Sequence, residues 1–139
     1  MDAKGSESER SEREVSSCKD IYPGLLPYLE NKKGVESGYD DTVGATRFTL
    51  RDKQFAMLIS DGTDNAALII TAKQGVNDTT LMLHPDVSER LSGGRCTIRV
   101  RLTGSVPYPL VKEMLDRGYD IVLRHFSKKI QHEILEDIR

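Results

Sequence analysis

The chain has 139 residues, 37% of them hydrophobic and 30% charged, with a formal net charge of −2. That length points to one domain with a single core that needs no covalent staples, and the near-zero charge neither invites nor forbids a polyanion. No apolar run approaches the ~20 residues of a membrane-spanning helix, and the first residues carry no apolar leader segment. Cys18 and Cys96 make no disulfide framework, so a reducing cytoplasm is the expected compartment.

Residues 1–19 are almost all Ser, Glu, Arg, Lys and Asp, with Val15 the only large aliphatic before Ile21. Such a segment cannot bury enough surface to offset its ordering entropy and is expected to be disordered. Ile21, Leu25, Leu26 and Leu29 then recur at helical spacing, but Pro27 limits the helix to a short or kinked one, and Gly34 to Gly38 read as a break. Three strands follow. Residues 46–51 alternate, with Phe48 and Leu50 on one side and Arg47, Thr49 and Arg51 on the other. Residues 54–60 and 66–72 are mostly apolar and separated by the turn-forming Asp61 to Asn65, which makes the three an antiparallel meander.

Asn77 to Thr80 read as the start of a short helix ending at Leu83, residues 85–91 as another helical turn, and Ser92 to Gly94 as a loop. Residues 95–102 alternate again, with Cys96, Ile98, Val100 and Leu102 inward and Arg95, Thr97, Arg99 and Arg101 outward. The longest amphipathic run extends from Pro107 to Phe126, its apolar stripe formed by Leu110, Val111, Met114, Leu115, Gly118, Tyr119, Val122 and Leu123. Ile130, Ile134, Leu135 and Ile138 mark a second, shorter helix. Strands joined by tight links and followed by a dominant helix predict an α+β two-layer sandwich, an antiparallel sheet of four or more strands packed against helices. Its domain is expected over residues 20–128, between the 1–19 tail and a helical extension at 129–139.

Two stretches resemble the MmcQ/YjbR family of small bacterial and archaeal proteins. One runs from Gly34, Val35 and Glu36 to Lys53, Phe55 and Ala56, similar to that family's opening segment ending in Lys-x-Phe-Ala. The other is Gly104, Val106 and Pro107 followed by Leu110 and by Tyr119, Asp120 and Val122, similar to its closing segment. The resemblance implies a fold like that of type III secretion chaperones and frataxin-like two-layer proteins. Its members are described as DNA-binding. The chain departs from the family in two places: an Asn-Lys-x-His-Trp stretch before the last strand is absent, and Gly118 stands where the family has Ser.

The functional candidates are basic strand faces. Between Arg95 and Lys129 eight Lys or Arg stand against three Asp or Glu, whereas residues 1–20 hold six acids and four bases. Arg47, Arg51, Arg95, Arg99 and Arg101 are the predicted nucleic-acid-binding residues, because guanidinium groups at alternate positions along a strand can follow phosphates. The competing account is that Arg is ordinary on the wet face of an antiparallel sheet. No aromatic residue interleaves with these arginines, which argues against stacking on single strands, and no helix-turn-helix pattern is present. The alternative reading is a protein-interaction or chaperone-like module that receives a peptide or a second subunit, with Tyr22, Tyr28 and Tyr39 as contributors.

His84, His125 and His132 are too scattered to predict a metal site, although His132 and Glu136 are four apart. No phosphate loop or nucleophile constellation is present. Cys96 is expected in the core and Asp40 with Asp41 in a solvated loop. Neither an enzyme, a cofactor nor a membrane partner is expected; DNA, a protein partner or a homodimer is.

Overall fold

The computed structural model describes residues 21–136, so the expectations for the 1–19 tail and for Ile138 fall outside the described residues. Within them the elements run α1 (Leu25–Glu30), β1 (Val35–Asp40), β2 (Ala45–Leu50), β3 (Lys53–Ile59), β4 (Ala67–Ala72), α2 (Asp78–Leu83), β5 (Val87–Ser92), β6 (Arg95–Arg101), α3 (Tyr108–Leu123) and α4 (Lys128–Leu135). The strands form one sheet of order β1-β2-β3-β4-β6-β5. Every neighbouring pair is antiparallel, and the helices lie on one side. The expected two-layer α+β sandwich is what the chain adopts.

Turn chemistry fixes two of its hairpins. Arg51 and Asp52 have φ of 47° and 70°, the paired positive values of a type I′ link. Arg51 therefore belongs to the β2–β3 turn and not to the strand face on which alternation put it. Gly93 and Gly94, at φ of 58° and 79°, do the same for β5–β6. Two segments differ from what their sequence suggests. Residues 85–91 are not a helical turn: Val87 to Ser92 form a strand that pairs along its whole length with β6. Gly34 to Gly38 do not simply break the chain either, since Val35 to Asp40 pair with β2 as an edge strand.

An extra residue in β3 shapes the sheet beneath α3. Phe48 is opposite Ala56 while Thr49 is opposite Gln54, so Phe55 is unmatched, the signature of a β-bulge. Phe55 and Ala56 are consequently both fully buried on the helix side, and the Phe55 ring meets Tyr119 edge to face at 5.6 Å. The α3 helix buries Val111, Met114, Leu115, Val122 and Leu123 over β3 and β4, each worth about 1.5–3 kcal/mol relative to exposure.

Helix and sheet approach closely at Gly118, where an added Cβ would sit 2.7 Å from Ile70 Cγ2 and 2.9 Å from the Thr71 carbonyl oxygen. This chain therefore has no room for a side chain there. The tyrosines of the first helix and its approach serve packing. Tyr22 is buried and donates to the Val106 carbonyl (2.6 Å), Tyr28 donates to Asp116 (2.6 Å), and Tyr119 donates to the Lys33 carbonyl (2.6 Å). Tyr39 alone of the three expected at a partner surface is widely exposed. The α4 helix, capped by Ser127, lays Ile134 against Gly34 and so packs on the domain itself.

Candidate nucleic-acid interface

Ladder register decides which side chain takes which face of the sheet. Ile70, under Gly118, marks the helix side, and its partners Ala56 and Ile98 share it. The opposite parity forms the open face. One row across it reads Gly38, Arg47, Met57, Ile69, Arg99 and Ser88; the next reads Asp40, Ala45, Ile59, Ala67 and Arg101. Thr49, Gln54, Thr71, Thr97 and Arg90 continue it. Among the described residues no helix lies on this side, although Ala45 and Ala67 on it are buried.

The five predicted arginines do not converge. Arg47 lies on the open face but is engaged: Nη1 donates to Gln54 (2.7 Å) and Nη2 pairs with Asp40 (3.3 Å). Hydrogen bonds from Thr42, with help from Arg47, hold the Asp40 carboxyl below its ordinary pKa. Arg47 is three strands from Arg99, about 14 Å at the ~4.8 Å spacing of neighbouring strands. That exceeds the ~8 Å screening length at physiological salt, so Arg47 adds little to the field at β6. Arg51 turns away from the sheet altogether and pairs with Glu133 of α4 at 3.4 Å.

Arg95, Arg99 and Arg101 do share the open face of β6: Arg99 and Arg101 are roughly 7 Å apart, and Arg95, beyond the outward Thr97, is about 14 Å from Arg99. The sequence reading missed Arg90, which stands opposite Thr97 on β5. The alternation of Ser88, Arg90 and Ser92 ahead of a Gly-Gly link was the signal for it. Among the described residues one nearby carboxylate stands against these four arginines, Asp86, 3.8 Å from Arg101 Nη1. Asp86 is already occupied: Ser105 and Thr103 hydroxyls donate to it at 2.6 and 2.5 Å, which lowers its pKa, with Arg101 a smaller cause. Arg90, Arg95 and Arg99 make no ion pair with a described residue.

The face is thus polarised. Its β5–β6 half is cationic, its centre is a half-buried apolar strip of Met57, Ile59 and Ile69, and its β1–β2 half carries Glu36 and Asp40. Cys96, expected in the core, is half-buried on the helix side next to Glu89; burial, and then the Glu89 carboxylate, push its thiol pKa up. Such a thiol is a poor nucleophile. Among the described residues no three or more His, Cys, Asp or Glu side chains group so as to hold a metal ion, and no helix is long and apolar enough to cross a membrane.

No family model matches the chain, and no curated protein matches it. Among solved structures it is similar to the Deinococcus radiodurans protein DR2400, which carries a DUF419 domain. The TM-score is 0.67 at 18% identity, over 86% of this chain and 88% of that one. The likeness is one of fold.

Proposed function

We propose that this is a non-catalytic nucleic-acid-binding module of MmcQ/YjbR type, in which the β5–β6 half of the open sheet face holds a DNA phosphate backbone. One observation carries the reading: Arg90, Arg95, Arg99 and Arg101 project from a face that no described helix covers, and among the described residues a single, already hydrogen-bonded carboxylate stands beside them. The two-part sequence resemblance supports it, and the cytoplasm expected from the cysteine usage suits such a partner. Binding is by backbone and not by base, since among the described residues no aromatic side chain and no helix stands on that face.

The test is the salt dependence of binding to a labelled random-sequence duplex, read by fluorescence anisotropy. Four phosphate contacts give a log–log slope of about −3.6, a loss of roughly 150-fold between 50 and 200 mM salt. Arg99→Gln should bring the slope to about −2.7 and the loss to roughly 40-fold, while Arg51→Gln changes neither. A flat salt response, or an Arg99 variant indistinguishable from wild type, refutes the proposal.

The apolar strip of Met57, Ile59 and Ile69 on the same face favours a second reading. In it, a protein segment with carboxylates flanking apolar residues docks across the centre. Met57→Gln distinguishes the two: it leaves phosphate binding intact and abolishes apolar docking.

A further inference from the structure

On the helix side, between α3 and the connection from β4 to α2, lies a cleft of about 170 Å³ floored by Ile98 and Met114. It continues into a second lobe of about 140 Å³; Lys73, Asp120 and Ile121 line both. Asn77, 3% exposed, is the one buried polar side chain among the described residues, and it faces this cleft. It occupies the position before α2 at which Asn ordinarily caps a helix, yet its side chain makes no capping bond. Its Oδ1 accepts instead from Arg117 Nη1 at 3.0 Å.

The buried amide therefore serves to hold a guanidinium on the cleft wall. Arg117 also pairs with Glu113, and two partners leave part of its five-donor fork for a third. Lys73 stands at the mouth, exposed and without an ion pair to any described residue. The one acid lining the cleft, Asp120, is taken by Arg124 at 2.6 Å. An apolar floor beneath two cations and a buried amide matches an anionic head on a short hydrocarbon body.

We propose that this cleft binds a small aliphatic monocarboxylate, with the carboxylate between Arg117 and Lys73 and the chain over Met114 and Ile98. The first lobe has room for about six non-hydrogen atoms at ~30 Å³ each, so with the second lobe the chain length is roughly four to eight carbons. The site is on the opposite side of the sheet from the arginines and stands or falls independently of DNA binding.

The protein labelled with ¹³C-methyl methionine tests it, because Met57 on the open face and Met82 on α2 are internal controls for Met114. Hexanoate should shift the Met114 methyl saturably and leave the other two in place, whereas hexylamine, the charge-inverted isostere, should not shift it. Lys73→Met should weaken hexanoate about tenfold through loss of a charge-assisted contact, without changing the urea midpoint. Three results overturn the proposal: a Met114 methyl unmoved at about 20 mM hexanoate, where a ligand of ordinary efficiency is half-bound; equal shifts from hexanoate and hexylamine; or all methyls drifting together without saturation.

Discussion

Replacing Gly118 by Ala sets two effects of opposite sign against each other, and the structure decides between them. Gly118 lies inside α3, where Ala is favoured over Gly by about 1 kcal/mol. The new methyl, however, would sit 2.7 Å from Ile70 Cγ2, 2.9 Å from the Thr71 oxygen and 3.4 Å from the Phe55 oxygen. Ordinary contacts are ~3.5–4.0 Å between carbons and ~3.3–3.6 Å from carbon to carbonyl oxygen. Ile70 is fully buried and cannot swing aside, and the Thr71 oxygen belongs to the sheet backbone. The helix must retreat by about half an ångström, which loosens its other contacts. Overpacking of this kind costs about 1–3 kcal/mol, and with two backbone oxygens involved the upper end applies. The net loss is about 2 kcal/mol, or roughly 8 °C in Tm for a domain of this size. Urea unfolding followed by circular dichroism measures it. Gly38→Ala is the control, since a Cβ there meets nothing within 4 Å and stability should stay within about 0.5 kcal/mol. A Gly118→Ala protein as stable as wild type would refute the close-approach account of the helix–sheet contact.

Two further predictions follow from titrating groups. The Tyr28 hydroxyl, pushed up to about 12 first by burial and then by its hydrogen bond to Asp116, favours the folded state while it stays protonated. That contribution is complete below pH ~10, the unfolded value, and is lost as pH rises toward 12; Tyr28→Phe should therefore flatten, in part, the fall of the urea midpoint with pH over that interval. Part of the slope remains, because burial also raises Tyr22 and Tyr108. Asp86, lowered by its Ser105 and Thr103 hydrogen bonds, contributes above pH ~4 and loses that contribution as pH falls through its folded value. Asp86→Asn should cost about 1 kcal/mol at neutral pH and nothing once wild-type Asp86 is protonated, as paired unfolding curves at the two pH values would show.

Legibility in the sequence followed the number of neighbours an element has. β2, β3, β4 and β6 are paired on both sides, and α3 lies across β3 and β4. Their apolar residues recur with the period of their conformation, and so they were readable. β1 is an edge strand whose central residues are all exposed; nothing selects apolar residues at alternate positions, and Gly38 looks like punctuation. β5 is the other edge, and Pro85 with Asp86 imitates a helix start so well that the Val87, Glu89 and Leu91 alternation went unread. The bulge at Phe55 exists only relative to β2, so no local pattern announces it. The candidate site divides the same way. Alternation placed Arg47, Arg95, Arg99 and Arg101 on a wet face, because facing is a local property of a strand. Whether those arginines cluster depends on strand order, on the positive φ at Arg51, and on Asp40 and Glu133 arriving from other elements.

The polarity of the open face constrains how a duplex can lie on it. In the proposed mode a backbone follows β6 and does not cross the sheet, because phosphates gain nothing from Met57, Ile59 and Ile69 and the β1–β2 half holds the carboxylates of Glu36 and Asp40. From Arg95 to Arg101 that track is about 20 Å at ~3.4 Å per residue, which limits one molecule to three or four phosphate contacts. In the proposed binding mode, contacts so few would place a single copy at the weak end of the 10⁻⁴–10⁻⁶ M range of non-specific binding at physiological salt. Useful occupancy of DNA then requires either a high protein concentration or two copies acting together, for which linkage raises avidity without any new contact. The measured salt slope separates these: a value near −3.6 reports one arginine track, and one near −7 reports two.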